Sequence, residues 1–208
     1  MSDPRTAIVQ RAYEVIPDRF ARWATKIEGD PRQTWTDELI DLLPDGGRVV
    51  DLGCGAGVPS TQALAAAGFD VTGVDFSAEQ LRRARANVPD ARFIEADVTE
   101  LELPRESFDA VTAFYSLNHV PRDLLGPLLK RLARWLVRDG YFLAALGAGD
   151  SDDWIGEWLG VQMFFSTWDP ETNRRLIAEA GLTLVRDEVI ALHEPEGDAA
   201  FQWVLARK

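Results

Sequence analysis

The residues with the clearest chemical potential lie in one stretch, Val49-Val50-Asp51-Leu52-Gly53-Cys54-Gly55-Ala56-Gly57. An apolar run ends in an acid, and three glycines then alternate at every second position. Val71-Thr72-Gly73-Val74-Asp75 and Glu95-Ala96-Asp97-Val98 repeat the theme of a strand closed by an acid. Glycines let a backbone turn sharply and come close to a ligand. The dinucleotide fingerprint is G-x-G-x-x-G. Here the third glycine falls one residue early and Val58 stands in its place.

The charges separate the ligand classes further. Asp51 beside the loop opposes a pyrophosphate and suits a cation, such as the amino group of an amino-acid moiety. Asp75 is a pure acceptor that suits the two donors of a ribose diol; the competing reading is a charge at a helix start capped by Ser77. Asp97 can accept from an adenine amino group, against the alternative of a solvated turn acid. Ligands bind outside the carboxyl ends of parallel strands, where all three acids would stand. A nucleoside with an amino-acid arm and no phosphate describes S-adenosylmethionine.

Displacement at a methyl sulfonium needs alignment and exclusion of water, and a base only when the acceptor must lose a proton. Tyr115, Asn118 and His119 follow the fourth strand, and His193 ends the strand before the last turn. His119 is the better base by position and by the titration range of histidine; packing or capping competes. Trp154, Trp158, Met163 and Phe164 would form an apolar wall beyond the fifth strand, with Asp150, Asp152 and Asp153 where it begins, or would simply cover the sheet end. Tyr13, Phe20 and Trp23 are read as a lid over the cofactor, against plain core packing. Arg122 reads as a solvated residue at a helix start. Cys54 reads as a small residue in a tight turn. Only two histidines and one cysteine exist, so no metal site is expected.

Elements that could position these residues alternate along the chain. Strands are predicted at 48–53, 70–75, 91–96, 108–114 and 140–147, with helices at 59–67, 77–87 and 124–137 between them. A helix at 169–180 and strands at 183–193 and 200–206 follow. Such alternation argues for a parallel sheet covered on both faces. Leu124, Leu125, Leu128, Leu129, Leu132, Trp135 and Leu136 form a helical apolar stripe. The chain of 208 residues is 46% hydrophobic and 27% charged with net charge -12, which suits one globular domain and disfavours a phosphate backbone as partner. No apolar run approaches the roughly 18 residues of a membrane span. The first residues lack signal-peptide character, so the cytoplasm is the expected compartment.

The stretches VVDLGCGAGVPS, VTGVDFS, FIEADVTEL, FDAVTAFYSLNHV and LKRLARWLVRDGYFLA together resemble the class I S-adenosylmethionine-dependent methyltransferases over residues 46–147. The resemblance implies an α/β, doubly wound, mostly parallel seven-stranded Rossmann-like sheet with an antiparallel last strand, which the pair at 183–206 fits. It implies that Asp51, Gly53, Gly55 and Gly57 line the methionine part. It implies that Asp75 binds the ribose, that Asp97 with Val98 holds the adenine, and that Phe76 and Gln80 flank them. Tyr13 and Phe114 complete the expected cofactor set. Tyr115 and His119 are the catalytic candidates, and Phe20, Asn118, Trp154, Trp158, Met163, Phe164 and His193 the acceptor-binding ones. WLGVQMFFS and FQWVLARK are similar to segments of small methyltransferases acting on natural-product-type molecules. The expected layout is one domain over 1–208, with a helical lid at 1–47, a cofactor core at 48–147, a substrate cap at 148–168 and a helix and strand pair at 169–208. The expected activity is methylation of O or N on a small organic acceptor by a monomer or homodimer, with no nucleic acid and no membrane partner. Transfer of another part of the cofactor, or a non-catalytic partner subunit, is the rival expectation.

Overall fold

The computed structural model describes residues 3–208. Residues 1 and 2, which begin both the expected lid and the stretch tested for signal character, lie outside the described residues. Three helices come first: α1 (Pro4–Val15), α2 (Pro17–Ala24) and α3 (Arg32–Leu42). The alternating core runs β1 (Arg48–Leu52), α4 (Ser60–Ala66), β2 (Asp70–Asp75), α5 (Ala78–Asn87), β3 (Arg92–Glu95), β4 (Phe108–Phe114), α6 (Arg122–Trp135) and β5 (Leu136–Gly147). Then come β6 (Ser151–Trp158), β7 (Val161–Thr167), α7 (Pro170–Glu179), β8 (Thr183–Glu194) and β9 (Gly197–Arg207).

Seven strands form one sheet in the order β3-β2-β1-β4-β5-β9-β8. The pairs from β3 through β5 are parallel, and β9 runs antiparallel to both its neighbours. The expected architecture, with its reversed last strand, is the one observed. Successive strand residues point to opposite faces. Thus Val50, Leu52, Val111, Phe142 and Ala144 join the core under α6 and α7, while Val49, Ala110, Leu143 and Ala145 join the core with Trp35, Leu39 and Leu64 of α3 and α4. The α6 stripe is buried as its period requires: Leu128, Leu129 and Leu132 are fully inaccessible.

Some boundaries differ from the sequence reading, among them the last strand, which begins at Gly197 and not at 200. Helix α6 stops at Trp135 and β5 begins at once, because Leu136 pairs with Phe108 at the foot of β4. Segment 148–168 is a two-stranded antiparallel ribbon, β6–β7, apart from the main sheet. Its aromatic residues stand on both faces and so mask the period-2 pattern.

Helix α1 begins at an Asp3 cap, whose carboxylate accepts the Arg5 backbone N–H at 2.8 Å, with Pro4 in the first turn. One face, Val9, Ala12 and Ile16, packs on Met163 and Phe164 of β7. Thr6, Gln10 and Tyr13 are spaced four and three residues apart, so they share another face. That face meets the strand ends.

Candidate cofactor and acceptor cavity

A cavity of about 880 Å³ opens where the parallel strands end. This is at the upper end of small-ligand pockets, roughly 300–1,000 Å³, and leaves room for two ligands side by side. Gly53, Cys54, Gly55, Ala56 and Val58 line it from the loop after β1. Gly53 and Gly55 have φ of 71° and 54°, in the left-handed region. A Cβ on Gly53 would also collide with the Ser116 side chain. The Gly53 and Cys54 N–H groups both donate to Val74 O, at 2.7 and 3.0 Å, which fastens the loop to β2.

Asp75 lines the cavity at the end of β2 and is 7% exposed. Its Oδ2 accepts from Gly55 N and its Oδ1 from Ser77 N, each at 2.9 Å. Burial pushes its carboxyl up to about 6. Asp97 and Val98 line the same space after β3, with Phe76, Gln80 and Phe114. Asp97 Oδ1 accepts from Thr99 N at 2.8 Å and Thr99 Oγ1 at 2.7 Å, and its Oδ2 accepts from Thr6 Oγ1 of α1 at 2.9 Å.

Asp51 and Gly57 depart from expectation. Asp51 lies behind the loop, 3% exposed, and is absent from the cavity wall. Thr61 Oγ1 and Thr112 Oγ1 donate to its two oxygens at 2.6 and 2.8 Å, so it ties α4 and β4 to β1. Gly57, at φ 77°, also stays off the wall. A Cβ there would press on Val88 and Ala84, so its glycine permits close packing on α5.

On the same wall, α1 and the turn after β4 bring Tyr13 and His119 together. His119 Nδ1 lies 2.8 Å from Phe164 O. A carbonyl only accepts, so Nδ1 carries the proton and Nε2 presents a lone pair. The Tyr13 hydroxyl, 3.1 Å from Nε2, therefore donates to it. Burial lowers His119 to about 4 and raises Tyr13 above the usual phenol range.

Tyr115 also lines the cavity, in a left-handed conformation at φ 59° that is uncommon outside glycine. Its hydroxyl donates to Asp30 Oδ1 at 2.8 Å, and the Arg32 guanidinium lies 4.8 Å from its ring centroid. Tyr115 thus stands as a wall residue held by Asp30, with its proton already committed. Asn118 touches the cavity, but its Oδ1 accepts from Gly147 N at 2.6 Å. Replacing it with alanine is expected to leave that buried N–H unpaired and lower stability by about 1–3 kcal/mol. Urea denaturation should show a lower midpoint with an unchanged slope, and Asn118→Asp should keep most of the stability.

The cap differs in detail from its sequence reading. Phe20 and Trp158 line the cavity; Met163 and Phe164 do not, being fully buried against α1. Phe165 takes the wall position instead, its ring 4.7 Å from that of His119. Trp154 is 44% exposed and off the cavity wall, packing over Gly156 and reaching the Phe165 ring at 5.8 Å. His193 points away: strand alternation turns Leu192 and Glu194 into the cavity, while His193 bonds Asp198 Oδ1 at 2.8 Å with a 70% exposed side chain. Arg122 is not solvated. Its side chain is 14% exposed, stacks 4.0 Å from the Trp168 ring, donates to Thr167 O at 3.0 Å and pairs with Asp150. It clamps the open end of the ribbon to α6.

Two further residues were not singled out from sequence. Thr6 reaches Asp97 from α1, and only a polar position on its cavity-facing side marks it. Arg32, at the start of α3, lines the cavity and pairs with Asp30 at 3.1 Å, while its buried Nε makes no hydrogen bond. Among the described residues no three His, Cys, Asp or Glu side chains stand together as metal ligands. No described helix is long and apolar enough to cross a membrane.

A glycine loop and acids closing successive parallel strands line one large cavity, with the chemistry of a nucleoside-cofactor site. Comparison with known proteins points the same way. A methyltransferase-domain family matches residues 49–140. An uncharacterized methyltransferase of Synechocystis is 30% identical over 162 residues, covering 74% of each chain. The chain belongs to the class I S-adenosylmethionine-dependent methyltransferases. It is also 42% identical over 94 residues to the 27-O-demethylrifamycin SV methyltransferase of Amycolatopsis mediterranei, spanning 41% of this chain and only 35% of that one. Among solved structures, the 1,6-didemethyltoxoflavin-N1-methyltransferase of Burkholderia thailandensis, with bound 1,6-didemethyltoxoflavin and S-adenosylhomocysteine, superposes with a TM-score of 0.74. That match is 21% identical and covers 100% of this chain and 91% of that one.

Proposed function

We propose that the protein transfers a methyl group from S-adenosylmethionine to a weakly basic hydroxyl or aromatic nitrogen of a small molecule. The observation that carries the acceptor assignment is the Tyr13–His119 pair on the cavity wall. The walls fit the cofactor. Asp75 keeps acceptor capacity beyond its two backbone bonds for the ribose diol, and the Arg32 Nε is a buried donor without a partner, suited to a carboxylate. Phe76, Gln80, Asp97 and Val98 would enclose the nucleoside, and Gly53 and Gly55 let the methionine arm lie against backbone. When bound, the cofactor supplies a methyl on a positively charged sulfur, open to in-line displacement by a lone pair.

The chain's own residues align, dry and deprotonate the acceptor. Tyr13 can accept from an acceptor O–H or N–H while donating to His119. As the acceptor atom gains positive charge, its proton passes to Tyr13 and the Tyr13 proton to Nε2. An imidazole near 4 is a weak base, yet it is ample for an alkylated hydroxyl, which is strongly acidic. It is a poor match for an aliphatic ammonium, so a hydroxyl or an aromatic nitrogen is the favoured acceptor. The rifamycin relative is named for an O-methylation and the toxoflavin neighbour for an N1-methylation; oxygen and nitrogen acceptors are both consistent with the pair. Net charge -12 supports a small molecule over nucleic acid. A lone unpaired cysteine, Cys54, suits a reducing compartment such as the cytoplasm.

The test is calorimetry with S-adenosylmethionine and NAD, then mass spectrometry of a panel of phenols and aromatic heterocycles. Binding of the first alone and a mass gain of one methylene are expected. Tight binding of NAD, or transfer of a larger fragment, rejects the assignment.

A further inference from the structure

The compartment beyond Tyr13 is walled by aromatic rings. Trp23 and Trp158 have centroids 5.1 Å apart, Phe20 stacks on Trp23 at 6.0 Å, and Phe165 meets Trp158 at 5.6 Å. All four rings line the cavity. Glu194 lines the same cavity from the end of β8. It is half-exposed, and no hydrogen bond or ion pair engages its carboxylate among the described residues. Burial, with Glu196 nearby, raises its carboxyl. The hairpin carrying it is fastened to the rings, because Trp23 Nε1 donates to Glu196 Oε2 at 2.6 Å. Both arginines on the cavity wall pair with acids, Arg83 with Glu79 and Asp18, and Arg32 with Asp30 through Nη2, its Nε staying without a partner.

Aromatic faces carry negative potential and attract cations, more strongly when water is excluded. An unpaired carboxylate on the wall of the same cavity adds charge of the same sense. We infer that the acceptor subsite selects ring-bearing amines, with the ammonium held by Phe20, Trp23, Trp158 and Glu194 and the methyl-accepting atom turned toward Tyr13. The inference rests on the proposed methyl transfer and adds its substrate class. The held cation and the methylated atom are different groups of one molecule, since a protonated amine has no lone pair to react.

Three probes with one ring and different charge test this: tyramine, 4-ethylphenol and 4-hydroxyphenylacetate, titrated calorimetrically with and without saturating S-adenosylhomocysteine. Tyramine is expected to bind about tenfold or more tighter than 4-ethylphenol, with the anion weakest. Glu194→Gln, at a half-exposed position, should abolish the preference for tyramine while leaving S-adenosylhomocysteine affinity unchanged. Trp23→Leu should reduce the same preference. Equal binding of the three probes, no binding of any, or a preference unaltered in Glu194→Gln would overturn the inference. Failure of S-adenosylhomocysteine itself to bind would instead count against the cofactor reading, and the probe ranking without it still judges the ring cluster.

Discussion

Asp75→Asn is expected to weaken S-adenosylhomocysteine binding by about tenfold to a hundredfold at pH 7.5 and to flatten its pH dependence. Each Asp75 oxygen already accepts one backbone N–H. The remaining lone pairs are what a ribose diol would use, and hydrogen bonds to a charged group contribute about 1.5–3 kcal/mol. An asparagine turns an N–H₂ toward one of those backbone donors and loses the charge. The sign of the pH effect follows from a carboxyl raised to about 6 in the free protein. Between the unfolded value of 3.8 and 6 the folded chain binds the proton more readily than the unfolded chain. That contribution to stability is complete below 3.8 and is lost as pH rises through 6. A diol favours the ionised form, so affinity should be full above 6 and fall as pH drops through it. At pH 5 about one carboxyl in ten is ionised, which weakens binding about tenfold. Calorimetry at pH 5, 6 and 7.5 reads this directly; a flat wild-type profile, or unchanged affinity in the variant, would remove the ribose role.

Tyr13→Phe and His119→Gln are each expected to lower the single-turnover methylation rate about a hundredfold, with the double variant little worse than either alone. Positioned proton transfer contributes about 10²–10⁴-fold in rate. Non-additivity is the mark of two residues acting as one unit. His119 also holds Phe164 O, so alanine would leave a buried carbonyl without its donor, and glutamine is the milder probe. The imidazole is lowered to about 4 against 6.5 when free. It is therefore neutral from pH 5.5 upward, and the rate should be flat there and decline only near 4. The folded value lies below the unfolded one, so its contribution to stability is full above 6.5 and is lost as pH falls through 4. Additive rate losses in the double variant would show that the two residues do not act as one unit, and an unchanged rate in Tyr13→Phe would leave Tyr13 as a wall contact only.

The sequence made the frame legible because its signals there are local. An apolar strand closed by an acid, and glycines that must turn left-handed, are readable without knowing what lies opposite. Asp51 and Gly57 show the limit of that reading. Their residue types are right for a ligand loop, but their partners, Thr61 and Thr112 for one and the α5 surface for the other, come from elsewhere in the chain. The acceptor side was legible as composition and not as geometry. Met163, Phe164, Phe165 and the tryptophans fill both faces of the ribbon, so no alternation says which ring turns inward. Arg32 and Thr6 become notable only once a helix start and a helix face are set against strand ends far away in sequence.

Helix α1 fastens several strand ends from one face. Thr6 Oγ1 bonds Asp97 after β3, Gln10 Nε2 donates to Phe76 O and Glu14 accepts from Ala78 N after β2, and Tyr13 reaches His119 after β4. A rim loop that only its ligand orders costs about 1–2 kcal/mol per backbone residue fixed. Here that ordering is completed when the chain folds. A ligand meets walls already set, and little of its binding energy goes into arranging them.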